Sequence, residues 1–176
     1  MLPEPFTPTP REAPDAPAIT LVGLDAPQWI APAREILREF AASLAVDLCF
    51  QNFEAELDTL PGEYAPPGGR LLLAFVDGAL AGCGGIRALA DVDYANASEM
   101  KRLYVRPAFR RFGLGRVIAE ALLDEARRAG FSVMLLDTLD EMESARELYA
   151  TLGFEEIAPY YFNPIPGAHY LKASLG

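Results

Sequence analysis

Histidine is almost missing from this chain of 176 residues, His169 being the single one. A site that needs several imidazoles is therefore excluded, and a Ser-His-Asp hydrolase could draw on that residue alone. Isolated near Gly167, His169 has no evident partner to orient it and reads as structural. Only two cysteines occur, Cys49 and Cys83. They have neither metal-ligand nor redox spacing, and each reads as a small core residue rather than half of a bridge. No run approaches the roughly 18 consecutive apolar residues of a membrane-spanning helix. The N-terminus also lacks the basic start and apolar stretch of a secretion signal. Positive charge is short as well: a net charge of −10 argues against a nucleic-acid binder, whose affinity depends on neutralising phosphates. These absences lead to the expectation of a soluble, cytoplasmic protein with no metal, no nucleic-acid partner and no membrane partner.

What is present suits one folded domain, with 51% hydrophobic and 23% charged residues. Six of the fifteen prolines fall within residues 1–17. Such density removes backbone donors and favours extended chain, so 1–17 is expected to be a flexible tail and 18–176 the domain. Ala18 to Val22 is a short strand candidate. Asp25 is placed to cap a helix that has Pro27 near its first position and an apolar stripe of Ile30, Ile36, Leu37, Phe40 and Leu44. Gln51 to Leu60 reads as a shorter helix. Leu71–Val76 and Ala79–Ile86 are apolar runs joined by Asp77-Gly78, a hairpin signal. Glu99–Val105 is another strand. Val117, Ile118, Ala121, Leu122 and Ala126 form the stripe of a helix that Gly130 stops. Phe131–Asp137 is β-rich, Asp140 and Glu143 resemble a capping box, and Phe154–Phe162 and Tyr170–Ser174 close the chain as strands. The order implies an α/β domain, a mixed sheet with helices on its faces.

The most informative segment is Lys101–Arg116, with six basic residues and no acidic one. Its glycines sit where a helix begins, and helix starts leave N–H groups unpaired and carry partial positive charge. Gly113 and Gly115 lack a Cβ, so phosphates could approach those amides closely. A dinucleotide fold fits less well: its third glycine would be Ile118, and Pro107–Phe112 separates strand from glycine.

Arg110-Arg111-Phe112-Gly113-Leu114-Gly115 matches an R-x-x-G-x-G signature. Val105-Arg106-Pro107 precedes it, and Ala145-Arg146-Glu147-Leu148-Tyr149-Ala150-Thr151-Leu152-Gly153-Phe154 follows as A-x-x-L-Y-x-x-x-G-F. With these motifs the chain from about Ala18 onward resembles the GNAT family of N-acetyltransferases. Arg111 stands where many relatives have Gly, and Met142 where many have Asn, so no side-chain contact to the cofactor from Met142 is implied.

The resemblance implies a mostly antiparallel sheet of six to seven strands with about four helices, splayed between the fourth and fifth strands. It implies acetyl-CoA as co-substrate and a primary amine of a small molecule or peptide as acceptor, attacking directly in a ternary complex; a homodimer is left open. Backbone groups of Leu103, Tyr104 and Val105 would meet the pantetheine arm. Amides of Arg111, Phe112, Gly113, Leu114, Gly115 and Arg116 would hold the pyrophosphate, with Arg110 and Arg116 adding charge. Tyr149 matches the family's usual acid, a core aromatic being the other reading, and Glu99 lies where relatives often place a base, directly or through water, with a solvated strand-end glutamate as the equal alternative. Phe50, Gln51 and Phe53 lie between the first helices, which in relatives cover the acceptor side, and Tyr160, Tyr161 and Asn163 could face the same cleft; Phe50 and Tyr160 could equally be plain core. Asp137 could be a ligand or a local capping residue. An idle acyl-CoA sensor on the same fold is the alternative, opposed by the intact loop signature and Tyr149.

Overall fold

The computed structural model describes residues 16–176, so the expected tail lies almost wholly outside the described residues. Its strands are β1 (Ile19–Gly23), β2 (Arg70–Val76), β3 (Ala79–Leu89), β4 (Ala97–Val105), β5 (Val133–Leu139), β6 (Glu155–Ile157) and β7 (Ala168–Ser174). Its α-helices are α1 (Ile30–Ser43), α2 (Phe53–Asp58), α3 (Leu114–Arg128) and α4 (Glu143–Thr151). All seven strands form one sheet in the order β1-β2-β3-β4-β5-β7-β6. Every pairing is antiparallel except the parallel β4–β5 pair.

The hairpin turns where the sequence places it. Asp77 (φ 48°) and Gly78 (φ 82°) both take the left-handed conformation that matches a two-residue turn to the twist of its strands. Two cores follow, one on each face. Ile118, Leu122, Met134 and Tyr149 belong to the core under α3 and α4, and Ile36, Leu37, Leu57 and Leu73 to the core under α1 and α2. Burying side chains such as Ile118 and Leu122 contributes about 1.5–3 kcal/mol each. Close docking of α3 requires Gly84, where a Cβ would lie 2.8 Å from Ile118 and 2.9 Å from Leu122.

Between β4 and β5 the sheet opens. Pairing covers only Ala97–Glu99 against Val133–Leu135, after which the strands part and β4 keeps its partner only on the β3 side. On that side the register shifts between Cys83 and Gly85, and Arg102 takes φ 62°. Such a bulge kinks a strand and raises its twist, which helps turn β4 away from β5.

Four local expectations are corrected. Asp25 does not cap α1: the first turn opens at Ala26 without a side-chain cap, and the Asp25 carboxylate pairs with Arg70 at 2.9 Å. Asp140 does not form a capping box, since α4 opens at Met142 with no side-chain bond. His169 does have partners, standing between Asp140 and Glu156 and so tying β7 to the β5–α4 turn and to β6. Cys83 is buried, but Cys49 is exposed, because it begins a short turn whose backbone N–H is capped by Asp47 at 2.8 Å.

Candidate active site

The strand-to-helix turn after β4 is built from Pro107–Phe112 in a 3-10 turn and Gly113 at φ 66°. That positive φ gives Gly113 a backbone reason to be glycine. Gly115 has none: its φ is ordinary, and an added Cβ would meet only Leu148 at 3.6 Å and Val105 at 3.9 Å, normal contacts. Nothing among the described residues demands its bare surface, which fits a ligand lying against it. The first bond of the helical ladder joins the Val117 N–H to the Gly113 carbonyl at 3.2 Å. The N–H groups of Leu114, Gly115 and Arg116 therefore precede the ladder at its positive end.

Side chains of this segment divide. Leu114 is fully buried, so only its backbone faces outward, and Phe112 packs against the core beside Phe109. Arg110 donates to the Val105 carbonyl at 3.0 Å, giving that carbonyl a partner within the chain. Arg111 lies over the Phe112 ring, and Arg116 reaches Glu120 and Thr151. The local excess of positive charge is only partly the turn's own. Arg106 is bound by Glu35 and Glu39 of α1, and Arg102 by Glu56 of α2 through two bonds of 2.9 and 3.1 Å. Those partners lie far away in sequence, which is why the run reads as an unbroken basic patch.

A narrow cleft of about 80 Å³ fills the gap between β4 and β5, lined by Met100, Leu103, Thr138, Tyr149 and Asn163 among others. Tyr104, by contrast, turns its ring to the opposite core against Phe40. Tyr149 is 6% exposed and packs edge-on against Phe154. Burial, and then the charge of Asp137, hold its phenol above the ordinary tyrosine value. It therefore stays protonated at neutral pH.

A wider cavity of about 500 Å³ adjoins the cleft, and Gln51, Lys101 and Asp137 line both. Glu99 forms part of its wall. Far from being a solvated strand end, it is 3% exposed, bound by Arg87 at 2.9 Å and by the Tyr160 hydroxyl at 2.7 Å. A buried carboxylate so held is costly to strip of its partners, by about 3–5 kcal/mol when one is removed. Arg87 is shared with Glu63 at 2.7 Å.

Three residues expected on the acceptor side converge. Gln51 accepts from Arg102 at 2.7 Å and donates to the Tyr161 hydroxyl at 3.3 Å. Tyr161 in turn donates to Asp137, and the Asn163 amide donates to the same carboxylate at 2.9 Å. Burial, then Asp137, raise the Tyr161 phenol above its usual range. The side chain of Phe50 lies outside the described residues. Asp137 is thus neither a cap nor a turn residue but the hub where cleft and cavity meet, and Lys101 and Arg87 join it as wall residues with no sequence motif to announce them.

Residues 33–154 match the acetyltransferase (GNAT) family. An uncharacterised N-acetyltransferase of Schizosaccharomyces pombe is 34% identical, covering 89% of this chain and 95% of its own. An IAA acetyltransferase of Azospirillum brasilense is 34% identical over 70% of this chain and 77% of its own. Among solved structures, a GNAT acetyltransferase of Staphylococcus aureus superposes with a TM-score of 0.71 at 21% identity, covering 90% of this chain and all of that one. An acetyltransferase of Salmonella typhimurium determined with acetyl-CoA gives 0.66 at 24% identity, covering 90% and 95%. On the matched segment, the relatives and the splayed sheet together, the chain belongs to the GNAT family of acetyltransferases.

Proposed function

We propose that the chain transfers the acetyl group of acetyl-CoA directly to a primary amine of a small molecule or peptide, with both substrates bound at once. The observation that carries this is the junction of the two cavities at Gln51, Lys101 and Asp137. One arm runs past Tyr149 and the other opens beside Glu99, so a thioester and an amine entering from opposite sides would meet there. The Salmonella neighbour determined with acetyl-CoA supports the donor.

The turn fits a diphosphate. Amides of Leu114, Gly115 and Arg116 would receive it over the bare Gly115, and Arg110, Arg111 and Arg116 would add positive charge. The backbone edge of β4 at Leu103, Tyr104 and Val105, no longer paired with β5, would align the pantetheine arm. Acetyl-CoA supplies an activated carbonyl, and the chain's task is chiefly orientation. One N–C bond forms and one C–S bond breaks. Glu99 would take the proton leaving the amine, directly or through water, while Tyr149 would give one to the departing sulfur.

Release of free thiol from acetyl-CoA across a panel of amines, with varied concentrations of both substrates, tests this reading. Intersecting initial-velocity patterns and an acetylated product are expected. Parallel patterns would replace direct attack by an acetyl-enzyme, and absence of turnover with intact acetyl-CoA binding would remove the activity.

A further inference from the structure

Not every charge facing the wider cavity finds a partner among the described residues. Arg87 is engaged by Glu63 and Glu99, and Arg102, beneath the wall, by Glu56 and Gln51. Apart from Asp91, exposed at the rim, two charged side chains are left without a direct partner among the described residues. The Lys101 ammonium has no ion pair or hydrogen bond to any described residue, although Glu99 and Arg102 lie beside it in β4. The Asp137 carboxylate accepts from Tyr161 and Asn163 but meets no cation among the described residues. Both side chains belong to residues lining cleft and cavity alike. Tyr64, 3% exposed, also lines the cavity, its buried hydroxyl beside the Glu56–Arg102 pair.

We propose that the acceptor is a zwitterion of the α-amino-acid type, its carboxylate received by Lys101 and its ammonium by Asp137 before transfer. This rests on the acetyl-transfer reading above and narrows its acceptor. A half-buried charge without a counter-ion is costly, and a ligand that supplies the opposite charge recovers that cost on binding. Burial, and next the charge of Arg102, hold the Lys101 amine below the usual lysine value, a tendency that a carboxylate beside it would reverse. A simple monoamine would satisfy Asp137 and leave Lys101 unmatched. A cavity of about 500 Å³ is of the size that takes a small molecule.

The test is thiol release from acetyl-CoA with matched acceptors: L-leucine, L-methionine and L-phenylalanine, each beside its decarboxylated amine and its carboxamide. The free acids should show kcat/KM roughly tenfold or more above their partners, as expected for a charge-assisted contact. Lys101→Met should collapse that ratio, mainly through KM of the acids, and Lys101→Arg should restore part of it. Equal or better turnover of the decarboxylated amines, or a ratio untouched by Lys101→Met, overturns the zwitterion assignment while leaving acetyl transfer in place. No thiol release from any member, with acetyl-CoA still bound in calorimetry, overturns the activity and this assignment together.

Discussion

Glu99 and Asp137 face one cavity in different electrostatic company. Glu99 is clamped by an arginine and a phenol, whereas Asp137 receives only neutral donors. On the proposed reading they would have different tasks, Glu99 as proton acceptor and Asp137 as ammonium holder. Tyr149 completes the set from the cleft side. Replacing it by Phe keeps the ring against Phe154 and removes only the hydroxyl. The account expects turnover to fall by about 100-fold or more while acetyl-CoA affinity stays within about twofold. Single-turnover kinetics beside calorimetry checks this, and turnover at the wild-type level would leave Tyr149 a packing residue. His169 gives a pH prediction at the same scale. Hydrogen bonds to Asp140 first and Glu156 second raise its pKa above the ordinary 6.5. Protonation is thus favoured more in the folded than in the unfolded chain. Its stabilising contribution is full below about 6.5 and fades as pH rises through the higher folded value. The melting-temperature difference between wild type and His169→Gln should therefore be largest near pH 5.5 and shrink by pH 9; a difference that grows with pH would contradict it.

At the scale of elements, local signals carried far. Asp77-Gly78 specified its hairpin because both residues tolerate positive φ. Gly130 and Gly153, at φ 89° each, stop α3 and α4 where the periodic apolar residues end. The basic glycine turn was legible for the same reason, since its chemistry lies within a few consecutive residues. Charge pairing was not legible. Arg102 with Glu56, Arg106 with Glu39, and Tyr161 with Asp137 join segments separated by 46, 67 and 24 residues, and no local pattern reports who meets whom. Asp25 and Asp140 show the converse: residues well placed to cap a helix were claimed by an arginine and a histidine from other elements. The packing of α3 on β3 makes its own prediction. Gly84→Ala puts a Cβ within 3 Å of Ile118 and Leu122, and overpacking of this kind costs about 1–3 kcal/mol. Urea denaturation should show that loss; an unchanged midpoint would mean that α3 can back away freely.

Over the whole molecule, the sheet does two jobs. Its antiparallel part holds two cores together, and the parting of β4 from β5 opens a gap through which, on the proposed reading, a long thioester would reach the junction at Asp137. Everything proposed for the reaction depends on that delivery beginning at the turn around Gly113. Gly115 is the position where the account is most exposed, because no contact among the described residues explains its lack of a side chain. Calorimetric titration of acetyl-CoA into wild type and Gly115→Glu, with circular dichroism to verify folding, tests it most directly. The account predicts measurable binding to the wild type and none to a folded Gly115→Glu protein, whereas equal affinity in both would contradict it.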